Sequence, residues 1–233
     1  MNVLVVDIGG THVKMAATNA GESRRFDSAL RLTPQALVER VREETRDWEY
    51  DVVSIGYPGR MGPDGPAREP KSLGCGWIGF DFAAAFGRPV RVVNDAVLQA
   101  LGAYEGGRML FLGLGTGLGS AVVSEYVVMP LELGNLPFKN GTRLLDVLGR
   151  KGREHLGHDR WQQAVAELVP ALRDAFAADY AMLGGGNARL VDPLPPDTRR
   201  GGNEDAFAGG IRLWDEMIEP HDRQPSQAWR VVR

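Results

Sequence analysis

Five short stretches of the sequence carry residue types that could do chemistry. Asp7-Ile8-Gly9-Gly10-Thr11 comes first. An acid at the end of a valine-rich run, then two glycines and a threonine, suits a phosphate cradle. Glycines let backbone N–H groups approach phosphate oxygens, and the hydroxyl is a further donor. Asp7 could hold a magnesium ion through water. A plain hairpin turn would use the same residues. The second stretch, Gly113-Leu114-Gly115-Thr116-Gly117-Leu118-Gly119, repeats that chemistry. It contains the Gly-x-Gly-x-x-Gly spacing of dinucleotide sites, which needs a helix after the glycines. A valine-rich segment follows instead, so a second phosphate loop facing the first across a cleft is the better reading.

Asn94-Asp95 is the third. A carboxylate at the start of a helix sits in a positive field and could accept a proton from a hydroxyl. The same pair would also serve as an ordinary N-cap. Glu132-Leu133-Gly134-Asn135 offers an acceptor and a donor that could grip sugar hydroxyls, or is simply a polar loop. Gly184-Gly185-Gly186-Asn187 leaves room for a flat ring or a phosphate against the backbone, or makes a tight turn.

Strands and helices must alternate to position these stretches. Strands are expected at 2–7, 13–18, 51–57, 90–93, 109–112, 120–123 and 181–183. Helices are expected at 34–47, 79–86, 95–105, 142–156, 159–178 and 203–218, with Thr33 capping the first and Pro34 opening it. Breakers fill 60–76, a long loop of the kind that often carries function. The polar loop 193–202 holds Arg199-Arg200, a pair that could follow an anionic polymer or merely be solvated. The unit strand–glycine turn–strand occurs at 2–18 and again at 109–123, which fits two similar α/β lobes.

Composition narrows the classes. The chain has 233 residues, 43% hydrophobic and 24% charged, with a net charge of −3. That is long enough for a full core and lacks the basic excess of a nucleic-acid binder. The 30 glycines are nearly twice the ~7% share usual in proteins. The single cysteine, Cys75, excludes an internal disulfide and a multi-cysteine zinc site. No apolar run is long enough to span a membrane, and no signal peptide is evident. A cytoplasmic protein is expected, with no nucleic-acid or membrane partner.

Together, Asp7 to Thr11, Asn94-Asp95, Gly113 to Gly119, Glu132 to Asn135 and Gly184 to Asn187 resemble the ROK family of sugar kinases, within the hexokinase/actin-like superfamily. The likeness runs from Asp7 to about Trp214 and is nearest the small polyphosphate or ATP glucokinase-like members. It implies a two-lobed α/β fold, actin-like and ribonuclease H-like in its lobes, with an interlobe cleft. The lobes would be 1–106, with the helix 203–218 packing back on it, and 107–202. The resemblance implies Asp95 as general base toward a hexose hydroxyl, most readily the 6-hydroxyl of glucose. It implies Asp7, Gly9, Gly10, Thr11 and Lys14 around one phosphate site and Gly115, Thr116 and Gly117 around the other. Gly185 and Gly186 would lie beside the adenosine of a nucleotide donor. Pro58-Gly59, Asn94, Glu132 and Asn135 would line the sugar pocket. The donor would be ATP or polyphosphate, with magnesium near Asp7, and a homodimer is expected.

The sequence departs from the family at three points. Asn135 stands where a histidine is usual, and the cysteines of the family's zinc loop are absent, so no zinc is expected. Leu145 and Asp146 stand where a second sugar-binding glutamate is expected, and Asp146 could replace it only if its shorter side chain reaches. These changes keep two rivals open: a kinase for an N-acylated amino sugar or fructose, and a weakly active sugar-binding regulator.

Overall fold

The computed structural model describes residues 1–28, 31–71, 73–202, 204–217, 226–227 and 229–232. Its frame is two mixed sheets of the same design. In the first, β1 (Val3–Ile8) pairs antiparallel with β2 (His12–Ala17), which pairs with β3 (Arg24–Asp27). On its other side β1 runs parallel to β4 (Val52–Tyr57). Helix α1 (Pro34–Glu44) joins β3 to β4. A small hairpin, β5 (Met61–Gly62) with β6 (Gly65–Pro66), and α2 (Phe82–Phe86) follow β4. Strand β7 (Val90–Asn94) then lies parallel to β4, giving the order β3-β2-β1-β4-β7.

Helix α3 (Asp95–Ala103) leads into the second sheet. There β8 (Met109–Leu114), β9 (Leu118–Ser124) and β10 (Val127–Leu131) form an antiparallel meander. Helices α4 (Leu144–Leu148), α5 (Arg150–Leu156) and α6 (His158–Ala175) lead to β11 (Tyr180–Gly184), parallel to β8, and β12 (Thr198–Arg200) extends it. The order β12-β11-β8-β9-β10 repeats the first sheet's pattern. Helix α7 (Asp205–Arg212) follows, then a short ladder of β13 (Glu216–Met217) with β14 (Ser226–Gln227). Strand β15 (Arg230–Val231) pairs with β10 at the far edge. The internal echo expected from the two glycine turns is therefore a duplication of topology.

Burial follows from the pairing. The central parallel strands β1, β4, β8 and β11 are buried along their whole length, as strands covered on both faces must be. Strand β2 alternates, with Val13, Met15 and Ala17 inward. One core lies outside the first sheet, against α1 and α2, around Leu37, Ile55 and Trp77. Another lies outside the second sheet, around Leu112, Trp161 and Val165. The third is shared between the sheets and is filled by α3 and α7, with Leu98, Phe111 and Phe207. Glycines let those two helices touch backbone to backbone. A Cβ on Gly102 would fall 1.8 Å from the Asp205 carbonyl, and one on Gly209 would fall 1.8 Å from the Leu98 carbonyl. Helix α7 also rests on the first sheet, where buried Ser54 donates to Gly210 O at 2.6 Å and accepts from Trp214 Nε1 at 2.8 Å.

Several elements differ from expectation. Strands β3, β10 and β12 were not foreseen; β3 and β12 are short and polar, with an alternation masked by arginines. The helix expected over 142–156 is broken at Gly149 into α4 and α5. The last helix is shorter than 203–218: it spans Asp205–Arg212, and the ends at 203 and 218 lie outside the described residues. Among the described residues no helix is long and apolar enough to cross a membrane.

Candidate active site

In each sheet the parallel strands end on the same side, and such carboxyl ends are where open α/β sheets place ligands. In the first sheet, register sets Asp7 beside Gly56, Gly56 beside Val93, and Tyr57 beside Asn94. Asp7, at the end of β1, and Asp95, after β7, are thus carried to one place by strands on either side of β4. Gly56 lies between them. A Cβ there would sit 3.3 Å from Asp7 Oδ1 and 3.4 Å from Asp95 Cα. Gly56 is a site residue the sequence reading passed over, although it stands three residues before the Gly59 that was noted.

Asp95 opens α3. Asn94 Oδ1 and Asp95 Oδ1 both accept from the Ala96 N–H, at 3.0 and 2.8 Å. The cap reading of Asn94 is therefore right, and it leaves Asp95 as a first-turn carboxylate. Burial pushes the Asp95 carboxyl up to about 7, and the charges of Asp7 and, less strongly, Glu132 push the same way. Asp7 is buried and raised to about 6 for the same reason, partly relieved by Lys14. Lys14 sits directly opposite Asp7 across the β1–β2 ladder.

The first glycine turn is closed by a hydrogen bond from Gly9 N–H to His12 O at 3.0 Å. Ser28 braces it from outside, donating from Oγ to Gly9 O at 2.9 Å and from its N–H to Thr11 O at 3.0 Å. Gly10 and Thr11 are exposed at its tip.

The second glycine loop is brought to the same place through α3. A Cβ on Gly119 would lie 3.0 Å from the Ala96 Cβ, so β9 touches the first turn of the helix that starts with Asp95. The loop folds on itself, Gly115 N–H donating to Gly113 O at 2.9 Å and to Gly117 O at 3.2 Å. Positions 115 and 117 have open space where a side chain would project. The Gly184–Asn187 turn packs under this loop. Asn187 N–H donates to Leu114 O at 3.0 Å. Gly185 adopts φ +76°, and a Cβ there would be 2.9 Å from the Leu114 carbonyl carbon, which leaves room only for glycine. Gly186 faces open space.

The residues expected to meet a sugar divide into two groups. Asn94 Nδ2 donates to Gly59 O at 3.0 Å, joining two of them. Tyr57 and Glu69 hold the loop beyond: the Tyr57 hydroxyl donates to Arg68 O at 2.7 Å, and Glu69 accepts from the N–H groups of Gly76 and Trp77. Asn135 Nδ2 donates to Glu132 Oε2 at 3.0 Å, and the Glu132 charge is felt at Asp95. Asp146 is engaged elsewhere. Its Oδ2 accepts from the Arg143 N–H at 3.0 Å and Nε at 3.2 Å, closing the start of α4 and holding its carboxyl below the usual range. Leu145 instead is the neighbour of this loop, its Cβ 3.2 Å from where one on Gly134 would stand.

Arg199 and Arg200 are both occupied. Arg199 pairs with Glu105 at 2.5 Å and lies over the Tyr180 ring, and Arg200 donates to the carbonyls of Ala188 and Val191. Both hold the polypeptide together. Among the described residues no cluster of three or more His, Cys, Asp or Glu side chains is arranged to hold a metal. Magnesium needs less: one or two carboxylates, with waters and donor phosphate completing its shell. Asp7, a carboxylate near the end of β1 beside the first glycine turn, fits that demand.

No protein-family model matches the chain. The polyphosphate glucokinase of Mycobacterium tuberculosis is 24% identical over 221 residues, covering 82% of this chain and 80% of that protein. The crystal structure of an inorganic polyphosphate/ATP-glucomannokinase from Arthrobacter sp. strain KM matches with a TM-score of 0.74 at 24% identity, over 90% of this chain and 96% of that one. A ROK family glucokinase from Streptomyces griseus, in complex with glucose and AMPPNP, matches with a TM-score of 0.67 at 14% identity, over 91% of this chain and 99% of that one.

Proposed function

We propose that this chain, a relative of the polyphosphate glucokinases with the two-lobed actin-like fold of the ROK sugar kinases, moves the terminal phosphate of ATP or polyphosphate to a hexose hydroxyl. Glucose, at its 6-hydroxyl, is the first candidate. The observation that carries the reading is the place of Asp95: it opens α3 beside Asp7, with the next residue, Ala96, against the strand that leaves the second glycine loop, and burial there raises its carboxyl. A base poised near neutral pH is what deprotonation of an alcohol requires.

Phosphoryl transfer asks for positioning and charge neutralisation more than for covalent chemistry. Asp95 takes the proton from the sugar hydroxyl as that oxygen bonds to the terminal phosphorus and the donor's last phosphoanhydride bond breaks, ADP or the polyphosphate shortened by one unit leaving with the bonding electrons. Backbone N–H groups of Gly10 and Gly117, with the hydroxyls of Thr11 and Thr116, hold the phosphate oxygens, on turns closed by the N–H groups of Gly9 and Gly115. Lys14 balances Asp7. Gly185 and Gly186 leave space for the rest of a nucleotide donor. Gly59, Asn94, Glu132 and Asn135 face the sugar. Asp7 would hold magnesium through water, and when bound the ion supplies charge for the donor phosphates. The lobes, 1–106 with the last helix and 107–202, close over the sugar and keep water from the donor.

A different hexose is favoured by one observation. The position next to Gly134 is the apolar Leu145, and Asp146 is tied to Arg143. A pocket that loses a hydrogen-bonding partner changes its discrimination, which keeps an N-acylated amino sugar or fructose as acceptor. The test is a coupled assay with magnesium over a panel of these hexoses, with ATP and polyphosphate as separate donors. Sugar-dependent product supports the reading, and folded protein that yields none with any pair contradicts it. A cytoplasmic homodimer is part of the same proposal, and sedimentation at working concentration tests the dimer.

A further inference from the structure

Arg150 belongs to none of the stretches that drew attention in the sequence, yet the structure ties it twice to the second glycine loop. Its backbone N–H donates to Gly115 O at 2.9 Å. Its guanidinium Nη2 donates to the Thr116 hydroxyl oxygen. Gly149 is the reason it can come so close. A Cβ on Gly149 would stand 2.7 Å from Leu145 O and 3.3 Å from Gly117 O, so the break between α4 and α5 lies directly on the loop.

The side chain is exposed, and among the described residues it forms no ion pair. A guanidinium carries five N–H donors, and one of them is used on Thr116. By accepting that bond, Thr116 keeps its own hydroxyl proton for another acceptor. Two kinds of donor therefore stand together beside Gly115 and Gly117, whose open sides have nothing within 4 Å. The ligand that matches a forked cation and a hydroxyl donor beside that open space is a phosphate oxyanion, which arginine binds in a geometrically specific way.

We propose that Arg150 binds the phosphoanhydride chain of the donor, with Thr116 as its co-donor. This rests on the phosphoryl-transfer reading above and names the residue that holds the donor in it. ATP and inorganic polyphosphate share that chemistry. Arg199 and Arg200, the pair the sequence singles out for it, are occupied; Arg150 is the one built into the loop.

The test is calorimetric titration of inorganic tripolyphosphate and, separately, ATP into the wild type, Arg150→Gln and Arg150→Lys, beside steady-state kinetics and thermal melting. Arg150→Gln is expected to weaken donor binding roughly ten- to hundredfold, with sugar KM and melting temperature unchanged. Arg150→Lys is expected to recover part of the loss. A loss for tripolyphosphate and ATP alike supports a role in holding both donors; a loss confined to tripolyphosphate supports polyphosphate as the source. Wild-type affinity in Arg150→Gln for both donors overturns the proposal. So does a wild type that binds neither, or a variant whose sugar affinity and melting temperature fall along with donor binding. A wild type that binds donor but phosphorylates no sugar contradicts the proposed function and leaves the assignment of Arg150 standing.

Discussion

Asp7 and Asp95 are held as neighbours by a residue with no side chain, since a Cβ on Gly56 would lie 3.3 Å from Asp7 Oδ1 and 3.4 Å from Asp95 Cα. Register does this: β4 runs between β1 and β7 and presents Gly56 level with Asp7 and Val93. Two carboxyls brought together under burial both resist ionisation, Asp7 rising to about 6 and Asp95 to about 7. Such clustering of perturbed acids is costly to a fold and common at reactive sites.

Gly56→Ala is expected to disturb this arrangement. The new methyl would stand 2.6 Å from Leu98 Cδ1 and against Asp7. Leu98 can shift, but the core around it is full, and overpacking costs about 1–3 kcal/mol. Denaturant unfolding should show that loss, and kcat should fall more than sugar KM rises. Unchanged stability and kcat would mean that the space at Gly56 is not needed.

The pH dependence follows from the raised carboxyls. For activity, Asp95 must be ionised to accept a proton, so kcat/KM should fall as pH drops through about 7. For stability the sign is opposite. A carboxyl whose folded value lies above its unfolded 3.8 binds protons more readily when folded. Asp7 and Asp95 therefore destabilise the fold fully above about 7, and that penalty is relieved as pH falls toward 4. Thermal melting from pH 8 to pH 5 should show Asp95→Asn gaining most over wild type at pH 8. A gain that is largest at pH 5 would contradict the assignment.

Asn135 stands where a histidine is usual in the ROK pattern, and here its amide holds Glu132 at 3.0 Å. Asn135→Ala frees Glu132 and is expected to raise the sugar KM roughly three- to tenfold, the worth of one hydrogen bond. Donor KM should not change. Equal changes in both would assign Asn135 to the loop's folding instead.

Gly185→Ala tests the donor side. Its φ of +76° costs a residue with a Cβ about 1–2 kcal/mol, and the methyl would press on the Leu114 carbonyl. The expected outcome in steady-state kinetics is a raised donor KM with sugar KM near the wild-type value. A change confined to the sugar would contradict this placement.

The frame of the molecule was legible because its central strands are apolar throughout. Val3 to Val6, Val52-Val53 and Met109 to Leu112 announce buried strands, and glycines mark their ends. Edge strands β3 and β12 were not legible, because Arg24-Arg25 and Arg199-Arg200 hide them in polar sequence. The acids of the site could be read from position along the chain. What brings them together could not. Gly56 matters only through register with β1 and β7, and Arg150 matters only because α4 breaks at Gly149 over the loop. Asp146 illustrates the reverse: a carboxylate at a suggestive position whose oxygen is taken by the Arg143 three residues before it.

The central claim is that Asp95 removes the proton from a sugar hydroxyl. The most direct measurement compares wild type and Asp95→Asn for phosphate transfer to the hexose the wild type uses, together with calorimetric binding of that hexose. The account predicts that sugar binding is kept while turnover falls by about 10²–10⁴-fold, the usual worth of a general base. Turnover in Asp95→Asn close to that of the wild type, with sugar still bound, would contradict it.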